Sequence, residues 1–262
     1  MMTAAESLIP LSDLALLQRF NALDGFLVAH QALWKPRPFT HRTLPWEQQY
    51  PELAAWLRSR TLEQAEASHN QPAALDSAPA PFPELALQAD RLSQIGDLPQ
   101  QASADLPARF SVDVPGRKWQ QIRAFGSSLG FAQAPRHWLD WCAGKGHLGR
   151  VLAHGVQKLT CLEYDPALVA SGAALSQRLG INAQHIEQDV LAEDAGALLH
   201  AEHSPVALHA CGDLHVRLMQ LASAAGCRHL AIAPCCYNRV AAADYRPLST
   251  AAQGSPLHLS LD

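Results

Sequence analysis

Asp140, Glu163 and Asp189 each stand at the end of a short apolar run that we predict to be a β-strand. In a parallel sheet the carboxyl ends of the strands lie along one edge, and ligands bind outside that edge. We therefore expect the three carboxylates to line one crevice. That arrangement favours one cationic ligand that carries adenosine over a pyrophosphate.

A glycine-rich turn follows Asp140, and its spacing fits two kinds of cofactor loop. Gly144, Gly146 and Gly149 match GxGxxG, in which a helix N-terminus receives the pyrophosphate of a dinucleotide. The spacing of Asp140 from the first two glycines also matches the loop of enzymes that bind S-adenosylmethionine, whose ammonium group attracts a carboxylate. A carboxylate here would repel a pyrophosphate, so the second interpretation is favoured. Dinucleotide binding, and a glycine turn with no ligand, stay open.

The other two acidic residues fit parts of an adenosine. Both kinds of cofactor contain a ribose diol that can donate hydrogen bonds to Glu163, so this residue does not discriminate between them. Asp189, within Gln188-Asp189-Val190, is placed to accept a hydrogen bond from the exocyclic amine of adenine.

Histidines and cysteines gather after the fourth and fifth predicted strands: His209, Cys211, His215, Cys235 and Cys236. Thiolates and imidazoles are zinc ligands, but zinc sites commonly use pairs that are two to four residues apart. Because adjacent cysteines seldom hold one ion tetrahedrally, we expect no metal site.

Strand and helix patterns alternate from about Phe110 onward. The predicted strands are 137–141, 159–162, 183–187, 206–210 and 229–233. The predicted helices are 118–129, 146–154, 166–180 with Asp165 as N-cap, 195–203 and 214–225. Such alternation implies right-handed βαβ units, so we expect an α/β fold with a Rossmann-like, doubly wound, mainly parallel sheet. Residues 238–262 contain too few apolar residues to form another helix and a hairpin, so we expect the last strands of a longer sheet to be missing.

The first hundred or so residues are predicted to be helical. The predicted helices are Leu8–Leu33, Pro45–Arg60 and Leu85–Leu98. Asn70–Pro83 is a Pro/Ala-rich linker with little to bury. We therefore predict a helical accessory region at residues 1–110, with a linker near 70–84, and a second domain at residues 111–262.

Composition narrows the expected partners and location. The 262 residues carry a net charge of −4, so a broad nucleic-acid-binding face is not indicated. No run approaches the ~20 apolar residues of a membrane span, and residues 1–10 lack the basic cluster of a signal peptide. The six cysteines all lie in the second half of the chain, whereas the disulfide bonds of a small secreted protein are spread along its sequence. We therefore expect a reduced, cytoplasmic protein without a membrane partner.

Over residues 116–238 the sequence resembles the class I S-adenosylmethionine-dependent methyltransferases. More narrowly, it is similar to a branch that has three motifs. These are a Gly-Ala-Gly-Lys-Gly-His-Leu cofactor loop (142–148, with Cys142 at the first glycine), a His-x-Cys-Gly-Asp-Leu strand end (209–214) and a Cys-Cys run (234–237). A basic residue before the first strand, Lys118, is a fourth match.

Two positions depart from that branch. Cys142 replaces a glycine of the cofactor loop and would narrow it by a thiol. Tyr237 stands where relatives that methylate a ribose 2′-hydroxyl in tRNA have a histidine, which weakens the case for the same RNA substrate.

The resemblance implies S-adenosylmethionine as cofactor and a set of residues that bind it. Lys118 would meet the carboxylate of the cofactor, and His209 and Cys211 would lie beside its methionine part and the transferred methyl group. The implied cofactor-binding residues are Lys118, Asp140, Cys142, Ala143, Gly144, Gly146, Glu163, Tyr164, Asp189, Val190, His209 and Cys211.

Four residues are candidates for the catalytic step. Asp213 would act as a base or as the N-cap of the helix that follows, and capping is the favoured single role. Cys235, Cys236 and Tyr237 would form the acceptor pocket, with the tyrosine ring stacked on a planar base. Alternatively, the two cysteines pack as small apolar groups in a tight turn.

These observations predict a cytoplasmic S-adenosylmethionine-dependent methyltransferase whose acceptor is an RNA nucleotide, for example in tRNA. Two alternatives stay open. One is a nicotinamide-dependent oxidoreductase that uses GxGxxG, and the other is a non-catalytic scaffold of the same fold that binds partners through residues 1–110.

Overall fold

The computed structural model describes residues 12–259 apart from 38, 70, 76, 99, 102–105, 132 and 156. The chain forms two compact units, which divide between Asp97 and Leu98. The segment Ser249–His258 belongs with the first unit. The domain boundary predicted at 110/111 stays a prediction beside this division.

The first unit is helical, as predicted. Its helices are α1 (Asp13–Ala29), α2 (Gln31–Trp34), α3 (Pro51–Arg58), α4 (Leu62–Ala67), α5 (Phe82–Ser93) and α10 (Thr250–Gln253), with 3-10 turns at Pro45–Gln48 and Pro72–Ala74. The Arg19 side chain on α1 donates to the carbonyl oxygens of Arg91 and Leu92 at the end of α5, at 2.9 and 3.3 Å. Leu8 to Leu11 of the first predicted helix, the signal-peptide prediction for residues 1–10, and two positions of the predicted linker lie outside the described residues.

The second unit is a parallel sheet with helices on both faces. Its strands are β1 (His137–Trp141), β2 (Lys158–Glu163), β3 (Ala183–Glu187), β4 (His203–Leu208) and β5 (Ala231–Ala233). Its helices are α6 (Gly116–Ser127), α7 (His147–Leu152), α8 (Pro166–Leu179) and α9 (Asp213–Ala224), with 3-10 turns at Ala108–Ser111 and Glu193–Leu198. Over the described residues the strand order is β3-β2-β1-β4-β5, and every pairing is parallel. The predicted α/β, Rossmann-like fold is confirmed.

Alternating side chains of the strands feed two cores, one on each face of the sheet. Leu139 and Trp141 of β1 pack with Leu218 of α9 on one face. Trp138 of β1 packs with Ile122 of α6 on the other. Successive side chains of a strand point to opposite faces, so one strand serves both cores.

The predicted fourth strand and the predicted helix that follows the third strand differ clearly from the structure. The fourth strand, predicted at 206–210, is β4 (His203–Leu208). The reason is that His203, Ser204 and Pro205 are buried despite their polar or strand-breaking character. The helix predicted at 195–203 is a 3-10 helix at Glu193–Leu198, a stretch that contains Gly196 and cannot sustain a long helix.

Candidate functional site

The loop after β1 turns through backbone conformations that favour glycine. Cys142, Gly144 and Gly146 have φ angles of 54, 55 and 72°. A Cβ atom at Gly146 would lie 2.9 Å from both Cys161 Sγ and His185 Cε1, so only glycine fits there. A Cβ atom at Gly144 would meet nothing within 4 Å, so that side of the loop is open.

Asp140 lies beneath this loop and supports the start of α7. Its side chain is 3% exposed, and Oδ2 accepts a hydrogen bond from the Gly149 N–H at 2.8 Å. Burial raises the pKa of Asp140 to about 7, although the Gly149 hydrogen bond and the positive charges of Arg150 and Lys118 lower it. From the sequence we predicted that this carboxylate contacts the ammonium group of a ligand, which stays a prediction. The contact that the structure shows is the hydrogen bond from Gly149, by which Asp140 positions the loop.

Glu163 ties the end of β2 to the glycine loop. One carboxylate oxygen accepts from the Gly144 N–H at 2.7 Å, and the other accepts from the N–H groups of Tyr164 and Asp165 at 2.9 and 3.1 Å. The neighbouring Ala143 N–H donates to the Leu162 carbonyl at 3.0 Å. A carboxylate has about four lone-pair positions, so Glu163 retains capacity to accept from a ligand.

A cavity of about 360 Å³ opens between the ends of β1, β2 and β3. Its lining residues are Cys142, Glu163, Tyr164, Gln188, Asp189, Val190 and Leu214. Five of these residues are among those predicted from the sequence to bind the cofactor. Asp189 is exposed, and its Oδ1 accepts from the Leu191 N–H at 2.9 Å.

The two charged side chains that line this cavity, Glu163 and Asp189, are both acidic. The pKa of the Cys142 thiol is raised to about 12, first by burial and then by the negative charges of Glu163, Asp140 and Asp189. Of the three acidic residues predicted to line one crevice, Glu163 and Asp189 line this cavity, whereas Asp140 is buried outside its lining. The negative charges favour a cation over a pyrophosphate.

Residues 117–243 match the model of a family described as a methyltransferase domain. The match supports a methyltransferase family. Methyltransferase domains of this kind generally use S-adenosylmethionine, and the oxidoreductase alternative is not favoured. No curated protein matches the chain. The more specific likeness to enzymes that act on tRNA stays a prediction.

In the second unit another group of predicted residues lies after β4 and β5. His209 has a φ angle of 67°, and its Nε2 lies 3.1 Å from Oε1 of Gln121 on α6. Cys211 Sγ lies 2.8 Å from Cys235 Sγ, and Cys236 Sγ lies 3.6 Å from Cys235 Sγ. The structure therefore brings together the three cysteines from the two predicted motifs.

Asp213 does not cap α9, so the favoured prediction for it was wrong. Gly212 is the N-cap, and its φ of 57° and the closeness of the Arg239 backbone exclude any side chain there. Asp213 is the first residue of the helix, and its Oδ2 accepts from the Ala241 N–H at 2.7 Å. Its visible role is to hold the segment that follows β5.

Tyr237 and Lys118 are both accessible to a ligand. Tyr237 is 44% exposed, and its ring meets that of Tyr245 edge-on, with 6.2 Å between centroids. Lys118 is exposed on α6, and its charge lowers the pKa values of Asp140 and His147, so it lies near the glycine loop.

Sequence reasoning missed several residues that shape the site. Gln188 and Leu214 line the cavity, and both stand beside predicted residues. Arg150 is 2% exposed, and its guanidinium donates to the Lys145 carbonyl of the loop. Trp141 Nε1 donates to the Leu214 carbonyl at 3.0 Å and so joins β1 to α9. Buried polar roles of this kind leave no spacing signal in a single sequence.

Proposed function

We propose that the chain is an S-adenosylmethionine-dependent methyltransferase whose donor binds in the cavity between the ends of β1, β2 and β3. The observation that carries the proposal is the cavity itself, whose two charged lining residues, Glu163 and Asp189, are both acidic. Negative charge at this place favours a ligand with a sulfonium and an ammonium group. The cavity volume of about 360 Å³ falls within the range of small-molecule sites.

The lining residues suit the parts of that ligand. Glu163 accepts a hydrogen bond from one ribose hydroxyl at its remaining lone-pair position, and Asp189 accepts one from the adenine amine, while Val190 offers an apolar surface to the base. Lys118 holds the carboxylate of the methionine part, and the open side of Gly144 lets the ligand approach the backbone. His209 and Cys211 flank the methyl group.

S-adenosylmethionine supplies an electrophilic methyl group on a sulfonium when it is bound. The chain's own task is mainly to position the acceptor in line with that methyl group and to exclude water. The Ala241 N–H donates a hydrogen bond to Asp213 and so fixes its carboxylate. This carboxylate can accept the proton of an acceptor hydroxyl or amine.

We propose an RNA nucleotide as the acceptor. Support comes from the exposed ring of Tyr237, on which a planar base stacks, next to Cys235 and Cys236. A cytoplasmic location is part of the same proposal, supported by six free thiols.

Calorimetric titration of the full chain with S-adenosylmethionine, S-adenosylhomocysteine and NADH tests the donor. We expect both sulfur ligands to bind and NADH not to bind. Asp189→Asn should weaken both sulfur ligands at least about tenfold, because the amide nitrogen faces the adenine amine as a second donor. The matched control is Glu187→Gln, an exposed acidic residue on β3 outside the cavity, which should bind as the wild type does. Binding of NADH alone would contradict the proposal.

A further inference from the structure

The three cysteines after β4 and β5 form a thiol cluster, Cys211, Cys235 and Cys236. Their sulfur atoms all lie within 4.8 Å of one another. Among the described residues, no other group of three histidine, cysteine or acidic side chains meets this distance. All three are free thiols, with Cys235 exposed and the other two half-buried.

Backbone hydrogen bonds hold the two segments that carry the thiol cluster. The N–H of His209 donates to the Ala233 carbonyl at 3.0 Å, and the N–H of Gly212 donates to the Cys236 carbonyl at 2.9 Å. The N–H of Asp213 donates to the Arg239 carbonyl at 3.1 Å. The cluster is therefore imposed by the backbone and does not depend on a chance orientation of flexible side chains.

The sulfur positions suit a tetrahedral ion. With Zn–S distances of about 2.3 Å, tetrahedral geometry places two sulfur ligands about 3.8 Å apart. Cys236 Sγ lies 3.6 Å from Cys235 Sγ, close to that value, while Cys211 Sγ lies nearer to Cys235 Sγ, at 2.8 Å. Both of these distances involve Cys235, the exposed cysteine of the three, so rotation of its side chain adjusts them together. The third pair of sulfur atoms is at most 4.8 Å apart.

One further contact favours sulfur in its ionised form. The Cys235 N–H points at Cys211 Sγ from 3.3 Å. Hydrogen bonds from backbone N–H groups to ligand sulfur atoms are part of the outer shell of metal–thiolate sites. Soft thiolate ligands select zinc and copper(I) over magnesium and calcium.

We propose that Cys211, Cys235 and Cys236 bind one thiophilic cation, Zn²⁺ in the first instance, and leave its fourth position open to water or another ligand. In the sequence, the adjacency of Cys235 and Cys236 argued against a metal site. The structure answers this argument because it adds a third thiol, Cys211, which follows the neighbouring strand β4. Each bound thiol releases its proton to the solvent. The same three thiols lie beside the proposed methyl group and acceptor, but zinc binding is measured without donor or acceptor. Its failure would therefore leave the proposed binding of the donor in the cavity untouched.

The test is a zinc titration of the reduced full-length chain against a chromophoric chelator. We expect one zinc per chain, and Cys211→Ser, Cys235→Ser and Cys236→Ser should each weaken binding by at least about 100-fold. Cys227→Ser is the matched control. Its half-buried thiol lies outside the thiol cluster and donates to the His200 carbonyl, so its loss should not change the affinity.

Cadmium gives an independent count of the ligands. The ultraviolet thiolate-to-metal charge-transfer band should fall by roughly one third in each cluster variant, because one of three thiolates is lost. Circular dichroism shows that each variant is folded.

Failure of the reduced wild type to bind zinc would overturn the proposal, as would an equal effect of the Cys227 control. A Cys211–Cys235 disulfide formed with peroxide, in a chain that binds no zinc when reduced, would instead indicate a redox pair.

Discussion

The two halves of the sheet's carboxyl edge carry different chemistry. After β1, β2 and β3 stand carboxylates, and Asp140, Glu163 and Asp189 each accept hydrogen bonds from backbone N–H groups. After β4 and β5 stand thiols, and Cys211 and Cys235 contact each other. Backbone N–H groups fix the carboxylates, which retain lone pairs that can accept further hydrogen bonds. Hydrogen bonds between the backbones of two loops bring the thiols together, and the thiols contact mostly one another. The first half therefore suits a hard, cationic organic ligand, and the second suits a soft ion or a reactive acceptor.

Gly146→Ala should break the carboxylate half most severely. Its positive φ costs about 1–2 kcal/mol for a residue with a Cβ atom, and the clash with Cys161 and His185 adds about 1–3 kcal/mol. We expect the free energy of unfolding in urea to fall by about 2–5 kcal/mol. Gly144→Ala is the control, because it meets no atom within 4 Å and should lose only about 1–2 kcal/mol. Equal losses would show that the close approach at Gly146 does not matter.

Glu163→Gln should separate the two halves. Glutamine keeps one acceptor oxygen where glutamate binds three backbone N–H groups with two, and a charged hydrogen bond contributes about 1.5–3 kcal/mol. Calorimetry should show S-adenosylmethionine binding about 10- to 100-fold more weakly. The affinity of the thiol cluster for zinc should stay the same. A parallel loss of zinc affinity would mean that the halves are not independent.

The affinity for S-adenosylmethionine should rise between pH 6 and pH 8. Burial raises the pKa of Asp140 to about 7, so the carboxylate gains its charge across this interval. Between one pH unit below the pKa and one unit above it, the ionised fraction of Asp140 rises about tenfold, so the affinity gain from this group is at most about tenfold. Asp140→Asn should abolish this pH dependence of binding.

The same substitution has a stability readout. The folded pKa of Asp140 lies above its unfolded value of 3.8, so the folded state binds the extra proton between these values. Asp140 therefore makes the wild type lose stability as pH rises from about 4 to about 7. The melting temperature of Asp140→Asn, relative to wild type, should increase over that interval. A constant difference would show that Asp140 is already ionised at low pH.

Asp213→Ala should give the smallest effect and act only on the thiol half. It removes the hydrogen bond to Ala241 and should lower the free energy of unfolding by about 1 kcal/mol. Asp213→Asn keeps an acceptor oxygen and should restore stability. If Asp213 also takes the acceptor's proton, the asparagine variant will be stable yet slow in methyl transfer, which a radiolabelled methyl assay on RNA can measure.

The architecture of the second unit follows closely from sequence. The predicted strands 137–141 and 183–187 match β1 and β3, and Asp165 and Gly180 cap α8 as predicted. In these elements the apolar residues recur at regular spacing, and the helix has capping residues of the usual types. β4 begins three residues earlier than predicted because burial in the centre of the sheet overrides the poor strand propensity of His203, Ser204 and Pro205.

Five of the seven residues that line the cavity were named from the sequence, but their contacts were not. Glu163 and Asp189 lie at one edge because parallel strands end there, whereas Asp140 is buried beneath the loop. That Asp140 bonds to Gly149 and Asp213 to Ala241 depends on side-chain direction and on loop packing, which spacing does not encode. Arg150 was missed for the same reason, because a buried arginine beneath a loop resembles a surface arginine in sequence. Among the described residues, no helix combines the length and apolar character needed to cross a membrane.

A crystal structure of the full chain with S-adenosylhomocysteine tests the central claim most directly. The account predicts that adenine lies between Asp189 and Val190 and that a ribose hydroxyl donates to Glu163. It also predicts that the homocysteine part extends over Gly144 towards Lys118. Density for the ligand at any other edge of the sheet, or a complex in which Glu163 and Asp189 make no contact with it, would contradict the account.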